Sequence, residues 1–296
     1  MPVPLGISSI CGNHNGDRSQ LTSYIGRLFY LGDEYHGSQW QPGLRTVQGE
    51  LIDALAAWSG ETHSPSTVQL AGRTDRGVHS IGQIVLVKTD KRFDIDGVNK
   101  YLPDDIRLWA HAKAPEDFKP RYSIFMRHYR YYLDTTELNL DLSLMKQATQ
   151  LLTGSHNFSL LSKPDGNRGT SATILNMSLR AENGALSIDV FGISFLWKLV
   201  RKIVSLLTQI GSGELQLNAV RKLLEQTNVL PGGINPSPPE SLVLLDVVVP
   251  IRMNVSKHGR RRIQKELARR LNYLHRSTLT LSALTERFDS DRRQHF

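Results

Sequence analysis

Residues 174–210 read ILNMSLRAENGALSIDVFGISFLWKLVRKIVSLLTQI. The first half of this stretch has a period of two. Segments 174–180 and 186–191 flank Glu182-Asn183-Gly184, and Leu186, Ile188 and Val190 alternate with polar or outward residues. That pattern predicts a β-hairpin with one buried face. The second half has the helical period. Leu196, Leu199, Val200, Ile203, Leu206 and Leu207 line one side of a helix predicted over 195–210. Working downstream, Asn218 is placed to cap a helix over 218–226, 231–239 is a Pro/Gly loop, and 242–249 is a closing strand. Upstream, 127–133 reads as a strand and 160–173 as a polar loop. Between them, 142–152 reads as a helix with Leu144, Ala148, Leu151 and Leu152 inward.

The front of the chain repeats this mixture. A strand over 24–31 leads into a glycine-punctuated loop over 32–45. Thr46 then caps a helix whose inward residues are Val47, Leu51, Ala54 and Leu55. Short extended segments follow at 66–70 and 83–87, then a turn at Leu102-Pro103-Asp104-Asp105 and a strand over 106–110. A doubly wound parallel sheet needs regular strand–helix alternation, which is absent. The chain therefore reads as α+β, with largely antiparallel sheets and helices on one side. Pro115 to Pro120 is the best boundary. It divides a first half, 23–115, from a second, 116–250, between a loose N-terminal extension (1–22) and a basic helical extension (251–296).

A chain of 296 residues, 40% hydrophobic and 22% charged, is long and apolar enough to bury a sizeable core. It has no apolar run long enough for a transmembrane helix and no basic-then-apolar start, so neither a membrane span nor a secretory signal is expected. The single cysteine, Cys11, excludes an internal disulfide framework and a cysteine zinc cluster, and suits the reducing cytoplasm. The formal net charge is +8. Residues 252–296 hold twelve basic and four acidic residues, also a net of +8, so the rest of the chain balances. Within them Ile263, Leu267, Leu271 and Leu274 share a helical face. This tail reads as a solvated helix, as a phosphate-contacting arm whose hold falls with salt, or as a membrane-surface helix, for which it lacks aromatics beyond Tyr273.

Three features bear on chemistry. The first is the loop Ala71-Gly72-Arg73-Thr74-Asp75-Arg76-Gly77-Val78-His79. Its glycines allow a tight bend, and a carboxylate between two guanidiniums stays ionised, fit to be a nucleophile, base or ligand. A surface turn held by an Asp–Arg pair would look the same. Gly72, Gly77 and Gly82 match neither a phosphate loop nor a dinucleotide fingerprint, so no nucleotide cofactor is expected. Without a His-Glu-x-x-His or a carboxylate cluster, no metal is expected either. The second feature is Arg121-Tyr122 followed by Arg127-His128-Tyr129-Arg130-Tyr131-Tyr132. Along a strand, Arg127, Tyr129 and Tyr131 share one face. That face suits a stacked nucleobase beside a phosphate, though core tyrosines give the same pattern. The third is Arg201 on an apolar helix, spaced to share a face with Trp197 and Lys198. It either snorkels to solvent or enters a cleft, where Asp75 could partner it.

Together these features resemble the tRNA pseudouridine synthases of the TruA family. The likeness rests on Gly72 to His79, on Asn99-Lys100-Tyr101-Leu102-Pro103-Asp104-Asp105-Ile106, on Phe118 and Arg121, on Arg127 to Tyr131, and on Phe195 to Ile203. It runs from about residue 23 to 250, and Arg76 is similar to the archaeal branch. The resemblance implies two ferredoxin-like halves sharing one central, mainly antiparallel sheet, with a basic cleft between them. It implies Asp75 as the catalytic aspartate, Tyr129 stacking on the target uracil and taking part in proton removal, and Arg201 orienting Asp75. Arg73 would hold the flipped nucleotide or fill its place, and Arg76, His79, Arg121, Arg127 and Arg168 would complete the substrate-binding set. It further implies uridine isomerisation in the tRNA anticodon stem-loop, at positions 38 to 40, by a cytoplasmic homodimer without cofactor. The sequence departs from the family at His128, which replaces an arginine, at Gly169 to Thr173, which lacks an Arg-Thr pair, and at Trp197-Lys198. A non-catalytic RNA-binding protein and a nucleic-acid glycosylase are the rival readings.

Overall fold

The computed structural model describes residues 21–166, 169–182, 184–227 and 231–294, with the side chains of 182 and 289–294 left aside. The expected N-terminal extension therefore lies almost wholly outside the described residues. In chain order the first elements are β1 (Thr22–Tyr30), α1 (Val47–Ser59), β2 (Val68–Leu70), β3 (His79–Thr89), α2 (Ile95–Val98) and β4 (Ile106–Lys113). They are followed by β5 (Met126–Asp134), α3 (Leu142–Leu152), β6 (Gly154–Asn157), β7 (Ser171–Glu182) and β8 (Ala185–Gly192). The chain then forms α4 (Leu199–Gly211), α5 (Asn218–Leu224), β9 (Leu242–Val248), β10 (Asn254–Val255) and α6 (Lys257–Gln294).

The strands form one sheet in the order β10-β4-β1-β3-β9-β5-β8-β7-β6, with β2 added on β3. Its pairings are antiparallel except a short parallel contact between β3 and β9, at His79–Val243 and Ser80–Leu244. The fold is thus α+β with a large, mainly antiparallel sheet. The strand expected to close the chain lies at the middle of the sheet, where it joins β3 to β5. Gly82 permits that junction, because a Cβ there would sit 2.4 Å from the Leu245 carbonyl oxygen. The Ser80 hydroxyl adds a bond to the Leu244 carbonyl at 3.0 Å.

Alternation along the strands feeds two apolar clusters. Leu28, Tyr30, Val85, Val87 and Leu108 pack with Val47, Leu51 and Leu55 of α1. The larger cluster joins Ile188, Val190, Leu242 and Leu244 to Met145 and Ala148 of α3 and to Ile203, Leu206 and Leu207 of α4. Those three α4 side chains are fully buried, each worth about 1.5–3 kcal/mol of transfer free energy. The Thr46 hydroxyl caps α1 by accepting from the Gly49 amide at 3.1 Å, while Glu50 pairs with Arg45 and not with the cap.

Several sequence expectations need correction. The helix expected from 195 starts only at Leu199, because Lys198 takes a left-handed φ of 65° and breaks the helical run. Asn218 is the first helical residue and does not cap α5, whose cap position is Leu217 with no side-chain bond. In α3 the buried line is Met145, Ala148, Thr149 and Leu152, with Leu144 and Leu151 half-buried beside it. Strand β3 begins already at His79, so the loop before it is shorter than its glycines suggested. Among the described residues no helix is long and apolar enough to cross a membrane.

Candidate active site

Residues 71–78 bridge β2 to β3 and are gripped from several sides. Gln83 Nε2 donates to the Gly72 carbonyl at 2.9 Å. The Tyr30 and Thr74 hydroxyls meet at 2.8 Å. The Thr74 amide donates to Ser38 Oγ at 2.8 Å, and the Ser38 amide returns a bond to the Thr74 carbonyl at 3.0 Å. The Gly77 amide donates to the Gly32 carbonyl at 3.1 Å, and the Gly32 amide to His79 Nδ1 at 3.0 Å. Gly77 has a φ of 85°, and a Cβ there would lie 2.9 Å from Pro239 Cγ, so both backbone and space require glycine. This grip presents Asp75 at the bend.

Two donors from the second half of the chain meet that carboxylate. Trp197 Nε1 donates to Oδ1 at 2.9 Å and Arg201 Nη1 to Oδ2 at 2.8 Å. Both oxygens accept, as those of an ionised carboxylate do. Arg201 is itself anchored, its Nε donating to the Ser237 carbonyl at 2.6 Å. The Arg201 and Asp75 side chains are 11% and 20% exposed, so the pair is sheltered but reachable.

Tyr129 is buried, with its ring edge-on to Phe195 at 5.0 Å and 76°. Burial pushes its phenol well above the usual tyrosine range. Arg127 offsets part of that rise, and Tyr30 and the nearby charge of Asp75 add to it. The ring is therefore neutral at physiological pH. Arg127, Tyr129 and Tyr131 all face inward, as the period-two reading requires. Arg127 spends its guanidinium on main chain, donating to the Ala71 and Ile193 carbonyls at 2.6 Å each. It thereby ties the start of the Asp75 loop to the start of the segment that carries Trp197. On the opposite face His128 and Arg130 share Asp189, and His128 stacks on Phe191 at 4.1 Å. Burial would raise the Asp189 carboxyl, but its bonds to Arg130 and His128 hold it below the usual range.

The remaining expected residues are placed unevenly. Arg73 is 51% exposed and donates to Asp165 at 3.0 and 3.3 Å. Arg76 and Arg121 are exposed, and among the described residues neither bonds to Asp75 or its donors. Burial lowers the pKa of His79, and its Nδ1 is occupied by the Gly32 amide, so it braces the loop as a neutral ring. Arg168 lies outside the described residues. Sequence reasoning gave no site role to Trp197, Ser237, Phe195 or the Tyr30–Thr74–Ser38 brace. Trp197 was visible as a neighbour of Arg201 on one helical face and as a departure from a family pattern, with no bond to Asp75 expected. Lys163 Nζ lies 4.4 Å and Lys198 Nζ 5.8 Å from its ring, while burial and the charge of Lys198 lower Lys202. With Arg73 these lysines make the rim of the site basic, which suits a phosphate backbone.

Among the described residues no group of three His, Cys, Asp or Glu is arranged to hold a metal ion. The chemistry this geometry offers is that of one aimed carboxylate beside a neutral aromatic ring: nucleophilic attack, or removal of a proton.

Known proteins supply an independent comparison. A family model described as tRNA pseudouridine synthase matches residues 148–250. The tRNA pseudouridine synthase A of Methanosarcina acetivorans is 40% identical over 224 residues, covering 75% of this chain and 82% of that protein. The protein of the same name from Pyrococcus furiosus is 33% identical over 262 residues, covering 88% of this chain and 95% of that one. The crystal structure of the archaeal box H/ACA sRNP Nop10-Cbf5 complex has a TM-score of 0.36 at 7% identity, over 64% of this chain and 44% of that one, too slight a likeness to bear on the argument. The two relatives span both halves of the chain and most of their own length, and on that extent of identity the chain belongs to the tRNA pseudouridine synthase family.

Proposed function

We propose that this chain isomerises uridine to pseudouridine in the anticodon stem-loop of tRNA, at positions 38 to 40, and that Asp75 is the group that reacts. One observation carries the reading: a carboxylate at the bend of a braced loop, aimed by Trp197 and Arg201 from the other half of the chain. Relatives 40% and 33% identical over their aligned residues bear the name tRNA pseudouridine synthase A, which supports the reaction and the tRNA substrate. In this reading, 23–115 and 116–250 are the two halves, and the cleft between them takes the RNA. The enzyme works in the cytoplasm as a homodimer, without cofactor.

The reaction sets the demands. The C1′–N1 bond of uridine breaks and a C1′–C5 bond forms. C5 loses its proton and N1 gains one, so nothing is oxidised or reduced. The base must leave the stack, turn and rejoin without escaping. Asp75 attacks carbon or removes a ribose proton, and either role needs its ionised form. Tyr129, held edge-on by Phe195, is the platform under the turning base. Its phenol stays protonated and acts as a ring and hydrogen-bond partner, not as an anionic base. Arg201 orients Asp75. Arg73 exchanges the half-buried carboxylate of Asp165 for the RNA backbone, and Arg76 and Arg121 add phosphate contacts.

The test uses unmodified tRNA and a derivatisation specific for pseudouridine, which is otherwise mass-silent. Wild type should yield product, and Asp75→Asn should lose at least about 10⁴ in rate while still binding tRNA. Free uracil in place of product would assign a glycosylase. Unchanged RNA with retained affinity would assign a binding module.

A further inference from the structure

Helix α6 leaves the edge of the sheet in a definite direction. Its start lies beside the middle of β4. A Cβ at Gly259 would meet the Leu108 carbonyl oxygen at 2.8 Å, and the Ser256 amide donates to the Trp109 carbonyl at 2.8 Å. Further on, Arg262 pairs with Asp104, just ahead of β4, at 3.0 Å. Arg270 then pairs with Asp33, which follows β1 and lies 4.0 Å from His79 Nε2. The end of β1 and the starts of β3 and β4 share one end of the sheet, because Tyr30 pairs with both Ser80 and Ile106. That end carries the Asp75 loop. Helix α6 thus runs along the flank of the first half towards the active-site end. From Arg270 to Gln294 it continues for about 36 Å more.

The helix carries its charge along this run. Residues 257–276 hold eight basic residues against one acidic, a net of +7. Three of the eight are tied down, Arg262 to Asp104, Arg269 to Glu266 and Arg270 to Asp33. Lys257, Arg260, Arg261, Lys265 and Arg276 are exposed, and none has an ion pair among the described residues. Lys257, Arg261, Lys265 and Arg276 are spaced four, four and eleven, which places them within an arc of about 100°. The docked residues Gly259, Arg262, Glu266 and Arg270 form a second arc centred about 130° away. Ala268, Asn272 and His275 complete the cationic arc, with no acidic residue among them. A merely solvated face mixes the two signs.

A row of like charges repels itself and is matched by a regular row of anions. A lipid surface would need exposed apolar side chains among the cations. The first exposed large apolar residue of α6 is Leu267, beyond Lys257, Arg260, Arg261 and Lys265. We infer that Lys257, Arg261, Lys265 and Arg276 hold the phosphate backbone of tRNA outside the anticodon stem-loop. The cleft takes the stem-loop in the reading above. A helix on the flank, running past the active-site end, meets the RNA where it leaves the cleft. The four cations span about 28 Å along the helix. They contact backbone and read no sequence, so they add affinity for the whole tRNA without choosing the target uridine.

The inference rests on tRNA being the substrate, and the experiment separates the two. Filter binding on the full chain measures affinity for unmodified full-length tRNA and for its isolated anticodon stem-loop. Wild type is compared with a chain carrying Lys257→Gln, Arg261→Gln, Lys265→Gln and Arg276→Gln. All four sites are exposed, so the melting temperature should not move. The fourfold variant should bind full-length tRNA about tenfold more weakly at about 0.1 M salt, and the slope of log Kd against log salt should fall by about 3. Its affinity for the stem-loop should stay within about twofold of wild type. Arg221→Gln with Lys222→Gln removes exposed charge from α5 and should leave both affinities within about twofold. No loss on full-length tRNA, an equal loss on both RNAs, or the same loss in the α5 variant overturns the inference and leaves the substrate reading standing. A wild type that binds neither RNA overturns both. Vesicles of anionic lipid held by wild type and not by the fourfold variant, with tRNA affinity unchanged, would assign the stripe to a membrane surface and overturn the inference.

Discussion

Residues 71–79 and residues 193–201 both lead to Asp75, and they are anchored by different means. The first segment is held through side chains of its own half: Gln83 on Gly72, Tyr30 and Ser38 on Thr74, His79 on Gly32. The second is fixed mainly through its backbone. Arg127 takes the Ile193 carbonyl, and the Lys163 amide takes the Trp197 carbonyl at 2.9 Å. Its two informative side chains, Trp197 and Arg201, are left to point at the carboxylate. The first segment sets where Asp75 is, and the second sets which way it faces. Substitutions in the first should therefore cost stability along with activity, and those at the aiming donors should cost activity with little change in stability.

Arg201→Met makes the largest break in that contrast short of removing Asp75. It deletes the charged donor to Oδ2 and leaves the Ser237 carbonyl without its partner. Loss of one preorganised donor at a reacting group is worth about 10²–10³ in rate. The unfolding free energy should change by no more than about 1–2 kcal/mol, because Asp75 keeps Trp197 and some solvent. A rate loss matched by a stability loss of several kcal/mol would mean that Arg201 is chiefly structural. Arg127→Met attacks the tie between the two segments. It strands the buried Ala71 carbonyl and the partly exposed Ile193 carbonyl, at a cost of about 1–3 kcal/mol by denaturant titration. Activity should fall with it, since both segments lose their common strut. If activity falls and stability holds, Arg127 touches substrate and the strut assignment is wrong.

These outcomes bear on how legible the molecule was in its sequence. Helices and strands with an unbroken period were readable, because burial enforces period two or 3.6 on the residues themselves. The hairpin of β7 and β8 and helix α3 are examples. Asp75 and Arg201 could be singled out as charges in unusual apolar or glycine-rich settings. Trp197 was misjudged for a physical reason. Helical periodicity was extended back through Phe195 to Lys198, where a left-handed residue ends the helix. That turn puts the indole beside Asp75 by a route no period can show. The central place of β9 was equally hidden, since strand order depends on long-range pairing that local patterns do not record.

Trp197→Phe sharpens the contrast by a smaller step. Phenylalanine keeps the ring beneath Lys163 but has no N–H for Oδ1. A hydrogen bond to a charged group of this kind is worth about 1.5 kcal/mol, or roughly tenfold in rate. Stability should be unchanged within error, as the ring is partly exposed. An equal loss in Trp197→Phe and Trp197→Leu would support the bond to Asp75. Full activity in Trp197→Phe with loss only in Trp197→Leu would make the ring, not the N–H, the working part.

The smallest effect belongs to the loop brace, and it is read by pH. Burial holds His79 below the ordinary histidine value of 6.5, helped by Arg270 and opposed by Asp33 and Glu240. On acidification the unfolded chain therefore takes up this proton first, and stability falls as pH falls. The contribution is intact above about pH 7 and is lost progressively below 6.5. A proton on Nδ1 would also face the Gly32 N–H, donor against donor, and release the loop that presents Asp75. His79→Asn keeps an acceptor for Gly32 without titrating. Burial lowers His63 and His111 in the same direction, so the substitution should remove part, and not all, of the stability lost between pH 7.5 and 5.5. Melting curves at the two pH values measure it, and an undiminished pH dependence in His79→Asn would show that the loop does not lean on this ring.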